Sequence, residues 1–267
     1  MIGMAHTAQG YPLYYEGVNE EGLGIAGLNF PHSARYHTFK PGYENITPYE
    51  LIPWILGQCA SLREAKALLG RVNLLDEAFS PEFPLTPLHW MLADREGAAV
   101  LEGDEEGVHV YENPLGVLTN EPPFPEQMKN WERYYTLTPE EKVEHPESRG
   151  LGALGLPGDL SSQSRFVRCA YVAQNSVSGE TEEEQVSQFF HILTSVEQQI
   201  GCVRLVDRRC ERTLYSCCCN TRNGIYYYTT YENRGITATA LHGEDLEGKE
   251  LISYPLLREP EIHWQNG

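Results

Sequence analysis

No apolar run in the 267 residues approaches the roughly 20 needed to cross a bilayer. The opening, Met1-Ile2-Gly3-Met4-Ala5-His6, lacks the basic region and hydrophobic region of a secretion signal. Positive charge is scarce. Twenty Lys and Arg against 38 Asp and Glu leave a net charge of -18, which disfavours nucleic acid or an anionic membrane surface as a partner. The cysteines lack a framework: there are seven, three of them consecutive at Cys217-Cys218-Cys219, unlike the spaced pattern of a small secreted disulfide protein. Reduced, mostly buried thiols and a cytoplasmic location are expected. Nine histidines occur without H-E-x-x-H or any C-x-x-C, and consecutive cysteines on a strand point to alternate faces, so no metal site is expected. Gly150-Leu151-Gly152-Ala153-Leu154-Gly155 fits G-x-G-x-x-G on paper. It follows no strand signal, and Pro157-Gly158 prevents a helix from following, so no dinucleotide cofactor is assigned.

What is present suits a folded domain: 41% of the residues are hydrophobic and 10% aromatic, enough for a sizeable core. Neither a repeat nor a linker divides the chain, so residues 1–267 read as a single domain. Leu13 to Val18, a turn at Asn19-Glu20-Glu21-Gly22, and the glycine-rich Leu23 to Asn29 predict a hairpin whose second arm is a central strand. Thr47-Pro48-Tyr49-Glu50 reads as a capping box opening a helix to about Gly57, and Ser61-Leu62-Arg63-Glu64 opens another that stops at Gly70. Leu88 to Asp94, Ala98 to Glu102 and Val108 to Tyr111 form a meander, and Gly116 to Asn120 adds a strand. Helices are expected over Pro125 to Tyr135, from Ser161 or Ser162 onward, and after Thr181, the last with Val186, Phe189, Phe190 and Leu193 on one face. Thr213 to Cys219 and Ile225 to Tyr231 give the clearest hairpin. Strand blocks separated by helix pairs point to an α+β fold with antiparallel sheets.

Asn29 and Asn120 each close an apolar strand signal just before proline, where a side-chain amide or a freed backbone N–H can face a cleft; structural capping is the plainer role. Arg165 falls on the first turn of its helix, against the dipole preference, so it wants a specific partner or lies solvated at the surface. With the asparagines it would complete a set of donors suited to an oxyanion or an anionic group. Phe79 and Phe83, in a proline-broken loop from Ala78 to Pro87, either cap the core, the commoner role, or line a pocket for an apolar ligand.

Five stretches then resemble the choloylglycine hydrolases, the bile salt hydrolases and penicillin V acylases of the N-terminal-nucleophile class. They are Gly22 to Pro31, Leu88-His89-Trp90-Met91, Gly116 to Asn120, Leu156-Pro157-Gly158-Asp159 with Ser164-Arg165-Phe166, and Ile225 to Tyr228 with Thr230-Tyr231-Glu232-Asn233. The resemblance implies an αββα sandwich of two antiparallel sheets flanked by helices, and hydrolysis of the amide joining a bile acid to glycine or taurine. It implies that Asn29 and Asn120 serve the oxyanion and that Arg165 stands beside the nucleophile and favours its thiolate. It also turns Phe79 and Phe83 into steroid contacts, and Asn29 tilts the substrate toward bile salts. Arg149 is expected to pair with the substrate's terminal anion, preferring taurine sulfonate. A homo-oligomer, commonly a tetramer, is implied as well.

The family's nucleophile is a cysteine directly after the initiator methionine, whereas this chain opens Met1-Ile2. The expectation is therefore an N-terminally truncated hydrolase without its first strands, inactive as it stands and poorly stable or oligomeric through an exposed sheet edge. The alternatives are an inactive paralogue that binds bile acids and a penicillin V acylase.

Overall fold

A computed structural model describes residues 1–141 and 148–266, so the middle of the polar stretch 137–152 lies outside the described residues. The chain divides into two compact units, Met1–Asn175 and Ser176–Gly267. The α+β class with antiparallel sheets is borne out in both.

In the first unit the elements run β1 (Ile2–Ala8), β2 (Tyr11–Val18), β3 (Gly24–Asn29), β4 (Glu44–Ile46), α1 (Leu51–Leu56), α2 (Leu62–Leu69), β5 (Val72–Leu74), β6 (Leu88–Asp94), β7 (Gly97–Asp104), β8 (Gly107–Glu112), α3 (Phe124–Trp131) and α4 (Ser162–Asn175). Six of the strands form an antiparallel sheet in the order β1-β2-β3-β6-β7-β8. The expected hairpin, central strand and meander are all present. Asn19 makes the first turn: its Oδ1 accepts from Leu23 N at 3.0 Å while its Nδ2 donates to Leu56 O at 3.0 Å and Cys59 O at 2.8 Å. One buried carboxamide thus stitches the hairpin to the end of α1. Gly27 is needed for close approach, since a Cβ there would meet the Trp90 indole nitrogen at 3.1 Å.

Alternation along β6 and β7 sends side chains to opposite faces. Trp90, Leu92, Ala99 and Leu101 join the core under α1 and α2, with Leu51, Ile55, Leu62 and Leu69. Val100 joins a second cluster with Phe124 of α3 and Phe166 and Ala170 of α4. On that second face lies a buried polar pair, His89 and Glu102.

Four expectations need correction. Gly116 to Asn120 is not a strand: with no ladder partner, it is held by side chains, Thr119 O accepting from His89 Nε2 at 2.8 Å and Asn120 N donating to Ser162 Oγ at 2.8 Å. The helix expected from Thr47 begins only at Leu51, because the Thr47 hydroxyl donates to the Glu50 carboxylate at 2.6 Å and caps no amide. The thiols are not mostly buried; Cys59 is, while Cys202 and Cys210 are exposed. Phe189 is exposed, because only Val186 on that face of its helix is fully covered. In addition β1, which carries no clear strand signal, forms one edge of the six-stranded sheet.

The second unit holds α5 (Glu182–Thr194), β9 (Val203–Arg204), β10 (Cys210–Glu211), β11 (Tyr215–Asn220), β12 (Ile225–Thr230) and β13 (Thr237–Ala240). The Thr181 and Glu184 capping box is formed as expected. Strands β11-β12-β13 make an antiparallel sheet, and Glu182 receives the Tyr227 hydroxyl at 2.6 Å, tying α5 to it. Among the described residues no helix is long and apolar enough to cross a membrane.

Candidate functional site

Three of the residues singled out by sequence meet in the first unit. Arg165 lies in the first turn of α4, where Ser161 receives Ser164 N at 3.3 Å. Its Nη2 donates to Asn120 Oδ1 at 2.7 Å and its Nε to Leu160 O at 3.2 Å. An arginine can only donate, so the Asn120 carboxamide must turn its oxygen toward Arg165 and its nitrogen away. That nitrogen donates to Asn29 O at 2.8 Å. Arg165, Asn120 and Asn29 therefore form one relay. The Glu121 carboxylate adds a second tie between the two segments, accepting from His32 N and Ser33 N, both at 2.9 Å, and from Ser33 Oγ at 2.8 Å. The loop into α4 is fixed by Asp159, whose carboxyl is held down at about 2 by hydrogen bonds from Ser161 and Ser164. The side-chain amide of Asn29 makes no hydrogen bond among the described residues, and one N–H of Asn120 Nδ2 is uncommitted. These N–H groups can meet a developing oxyanion.

The same unit holds a mostly apolar cavity of about 450 Å³, lined among others by Leu13, Tyr14, Tyr49, Phe79, Phe83 and Leu85. Its rings lean on one another: Phe79 meets Tyr49 edge-on at 5.3 Å and Phe83 at 6.2 Å, and Tyr11 at 5.6 Å. His6 lies 5.2 Å from Phe83. Phe79 and Phe83 thus line a pocket rather than cap the core. The wall is anchored by Tyr36, whose hydroxyl accepts from Leu88 N at 2.7 Å and donates to Thr86 O at 2.9 Å; burial pushes this phenol far up. Gly27 also lines the cavity, which places it at the β3 strand that ends at Asn29. A volume of this size, mostly apolar with a few polar groups, is that of a small-molecule site.

Arg149 belongs to neither feature. Its side chain is 92% exposed, 3.8 Å from the Glu141 carboxylate, and it is not among the residues lining the cavity. The first unit contains two thiols, Cys59 and Cys169. Burial pushes both up, that of Cys169 in spite of the nearby Arg168 and Arg165 charges. Sequence reasoning missed His6, Tyr11, Tyr14 and Tyr49. A usable signal was there: Tyr11, Tyr14 and Tyr15 crowd one short strand ahead of a proline-broken aromatic loop.

Comparison with known proteins gives a consistent picture. Residues 1–254 match the family described as linear amide C-N hydrolases, choloylglycine hydrolase family. The bile salt hydrolase/transferase of Lactiplantibacillus plantarum is 49% identical over 274 residues, covering 100% of this chain and 85% of that protein. Its counterpart in Clostridium perfringens is 36% identical, covering 95% of this chain and 80% of that protein. A solved structure of a variant conjugated bile acid hydrolase from Clostridium perfringens, 36% identical, overlays with a TM-score of 0.89, covering 99% of this chain and 83% of that one. Penicillin V acylase from Agrobacterium tumefaciens, at 18% identity, overlays with a TM-score of 0.69 over 86% of this chain and 66% of that one, a likeness of fold alone. The fold implied by the resemblance, that of the N-terminal-nucleophile hydrolases, is borne out by these overlays.

Proposed function

The chain belongs to the choloylglycine hydrolase family of linear amide C–N hydrolases, and we propose that its site serves the amide joining a bile acid to glycine or taurine. The observation that carries this reading is the relay from Arg165 through Asn120 to Asn29, at 2.7 and 2.8 Å, in the same unit as an aromatic cavity. The cavity takes the rigid, mostly hydrocarbon steroid, with Phe79 and Phe83 against its faces. Attack on the planar amide moves negative charge onto the carbonyl oxygen, and the N–H donors at Asn29 and Asn120 stabilise it. Arg165 orients Asn120 and, as a fixed positive charge, favours a thiolate beside it. Arg149 lies outside both the relay and the cavity, exposed and 3.8 Å from the Glu141 carboxylate; in this reading its guanidinium meets the substrate's terminal carboxylate or sulfonate. Names of relatives such as bile salt hydrolase and conjugated bile acid hydrolase support this substrate class.

The attacking group in this reading is an N-terminal cysteine thiolate, as the resemblance implies. Neither Cys59 nor Cys169 fills that role, since burial pushes both thiols up, opposite to what a nucleophile needs. A second reading keeps the same ligands and is a protein that binds conjugated bile acids without turnover. We read residues 1–267 as one domain, a reading supported by a family match that runs from residue 1 to residue 254. A homo-oligomer is consistent with large apolar residues exposed in the second unit, such as Leu251, Tyr254 and Trp264. Seven free cysteines are consistent with the cytoplasm.

The test measures saturable binding of taurocholate, glycocholate and penicillin V beside release of taurine, glycine or the penicillin side-chain acid. Release of the amino acid marks the hydrolase. Saturable binding of the bile salts without release marks the second reading. Preferential release from penicillin V, or no saturable binding of any bile salt, overturns both.

A further inference from the structure

The five-residue segment ending in Asn120 has no strand partner, yet the site needs Asn120 in place to a fraction of an ångström. What holds it is buried on the second face of the sheet. His89 on β6 is fully buried and Glu102 on β7 nearly so. The ring Nε2 contacts Thr119 O at 2.8 Å and Nδ1 contacts Glu102 Oε1 at 3.0 Å. A carbonyl can only accept, so Nε2 carries a proton toward Thr119, and Nδ1 and Glu102 share a second. The same Glu102 oxygen receives Phe124 N, the first amide of α3, at 2.9 Å. The ring also lies flat against Phe30, 4.2 Å between centroids and 5° from parallel, and Phe30 directly follows Asn29. The residue on one side of Asn120 and the residue on the other side of Asn29 are thus both seated on one imidazole.

We infer that His89 is a positioning residue of the relay, setting the Asn120 segment through its bond to Thr119 and the Asn29 strand end through its stacking on Phe30, with Glu102 fixing the ring's orientation. This deepens the proposed function and rests on it for its catalytic meaning. Trp90, Leu92 and Leu101, the buried neighbours on the opposite face, pack in the core; His89 meets both asparagine segments from beneath, one through Thr119 and the other through Phe30. Any buried imidazole needs its nitrogens partnered; what sets His89 apart is that its contacts fall beside Asn120 and Asn29.

The test reads the side-chain amides of Asn29 and Asn120 by proton–nitrogen correlation spectra of the full chain, each peak identified by its loss in the Asn→Asp variant. In His89→Leu the Asn120 amide peak should shift and its hydrogen exchange should speed about tenfold, the equilibrium equivalent of one lost buried hydrogen bond. In Glu102→Gln, which keeps the shape and can still bond the ring, the same peak should move less. In His109→Leu, a control whose ring bonds Asp104 at 2.9 Å on the same sheet, it should not move. Should His89→Leu not fold, Glu102→Gln decides alone. An Asn120 peak that keeps its wild-type shift and exchange in the folded variants, whatever happens to their melting temperature, overturns the proposal. A wild-type protein that binds no bile salt removes the functional reading while the amide shifts still decide this one.

Discussion

Around Asn120 the chain is held by directed bonds: Arg165 on its oxygen, Asn29 O on its nitrogen, Ser162 on its backbone amide, and Thr119 beside it joined to His89. Around Phe79 rings lean on rings at 5.3 to 6.2 Å, and the loop is tied down chiefly at one end by the Tyr36 hydroxyl. The first region sits over a closed core, with Phe166 and Phe124 buried beneath it; the second is a half-buried wall open to a cavity. The difference matches what each would do. An oxyanion needs donors at fixed positions, and hydrogen bonds are directional. A steroid needs area and shape, which aromatic side chains supply with tolerance for adjustment.

The largest effect should come from the core beneath the polar end. Phe166→Ala is expected to cost about 3–5 kcal/mol of stability in denaturant titration, while Phe79→Ala, whose side chain is only half covered, should cost far less. Equal costs would mean that the two regions are not built differently. Next, the Phe79→Ala/Phe83→Ala pair should weaken deoxycholate binding by about 10- to 100-fold in calorimetry; unchanged affinity would place the steroid elsewhere. Ser162→Ala should lose about 1–3 kcal/mol, because it strands the Asn120 N–H and breaks contacts with Thr119 and Gln127. Thr86→Ala at the exposed cavity rim should stay within about 0.5 kcal/mol.

The smallest effect is on pH. The Asp159 carboxyl is lowered from 3.8 to about 2 in the folded chain by Ser161 and then Ser164. A depressed carboxylate stabilises the fold above its unfolded value and loses that contribution as pH falls through the folded one. The melting-temperature gap between wild type and Asp159→Asn should therefore be full above about pH 4 and close between pH 4 and 2. A gap that persists at pH 2 would show that Asp159 acts through its shape rather than its charge.

Much of this contrast could be read from residue order, and the unread parts share a cause. Arg165 announced itself by lying against a helix dipole, and it donates to the oxygens of Asn120 and Leu160. The β3 strand and its terminal Asn29 were legible because turn chemistry and glycine placement are local. The stretch to Asn120 misled, since Val117 and Thr119 alternate like strand residues, yet Thr119 is partnered by His89, Gln127 and Ser162, 8 to 43 positions away, and Val117 O by the Asn113 side chain. Phe79 and Phe83 could not be assigned from their own neighbourhood, because the rings they touch, Tyr11 and Tyr49, lie on other elements. A lone histidine in Leu88-His89-Trp90 reads as core until the carboxylate across the strand is known.

The central claim is a division of labour, with the cavity holding the steroid and the relay reading the amide. Calorimetric titration of taurodeoxycholate and of deoxycholate into wild type, Phe79→Ala/Phe83→Ala and Asn120→Ala tests it directly. The cavity variant should weaken both ligands by the same factor, and Asn120→Ala should change only the conjugate. If the cavity variant leaves both affinities as they are in wild type, or Asn120→Ala weakens the two ligands equally, the division is wrong.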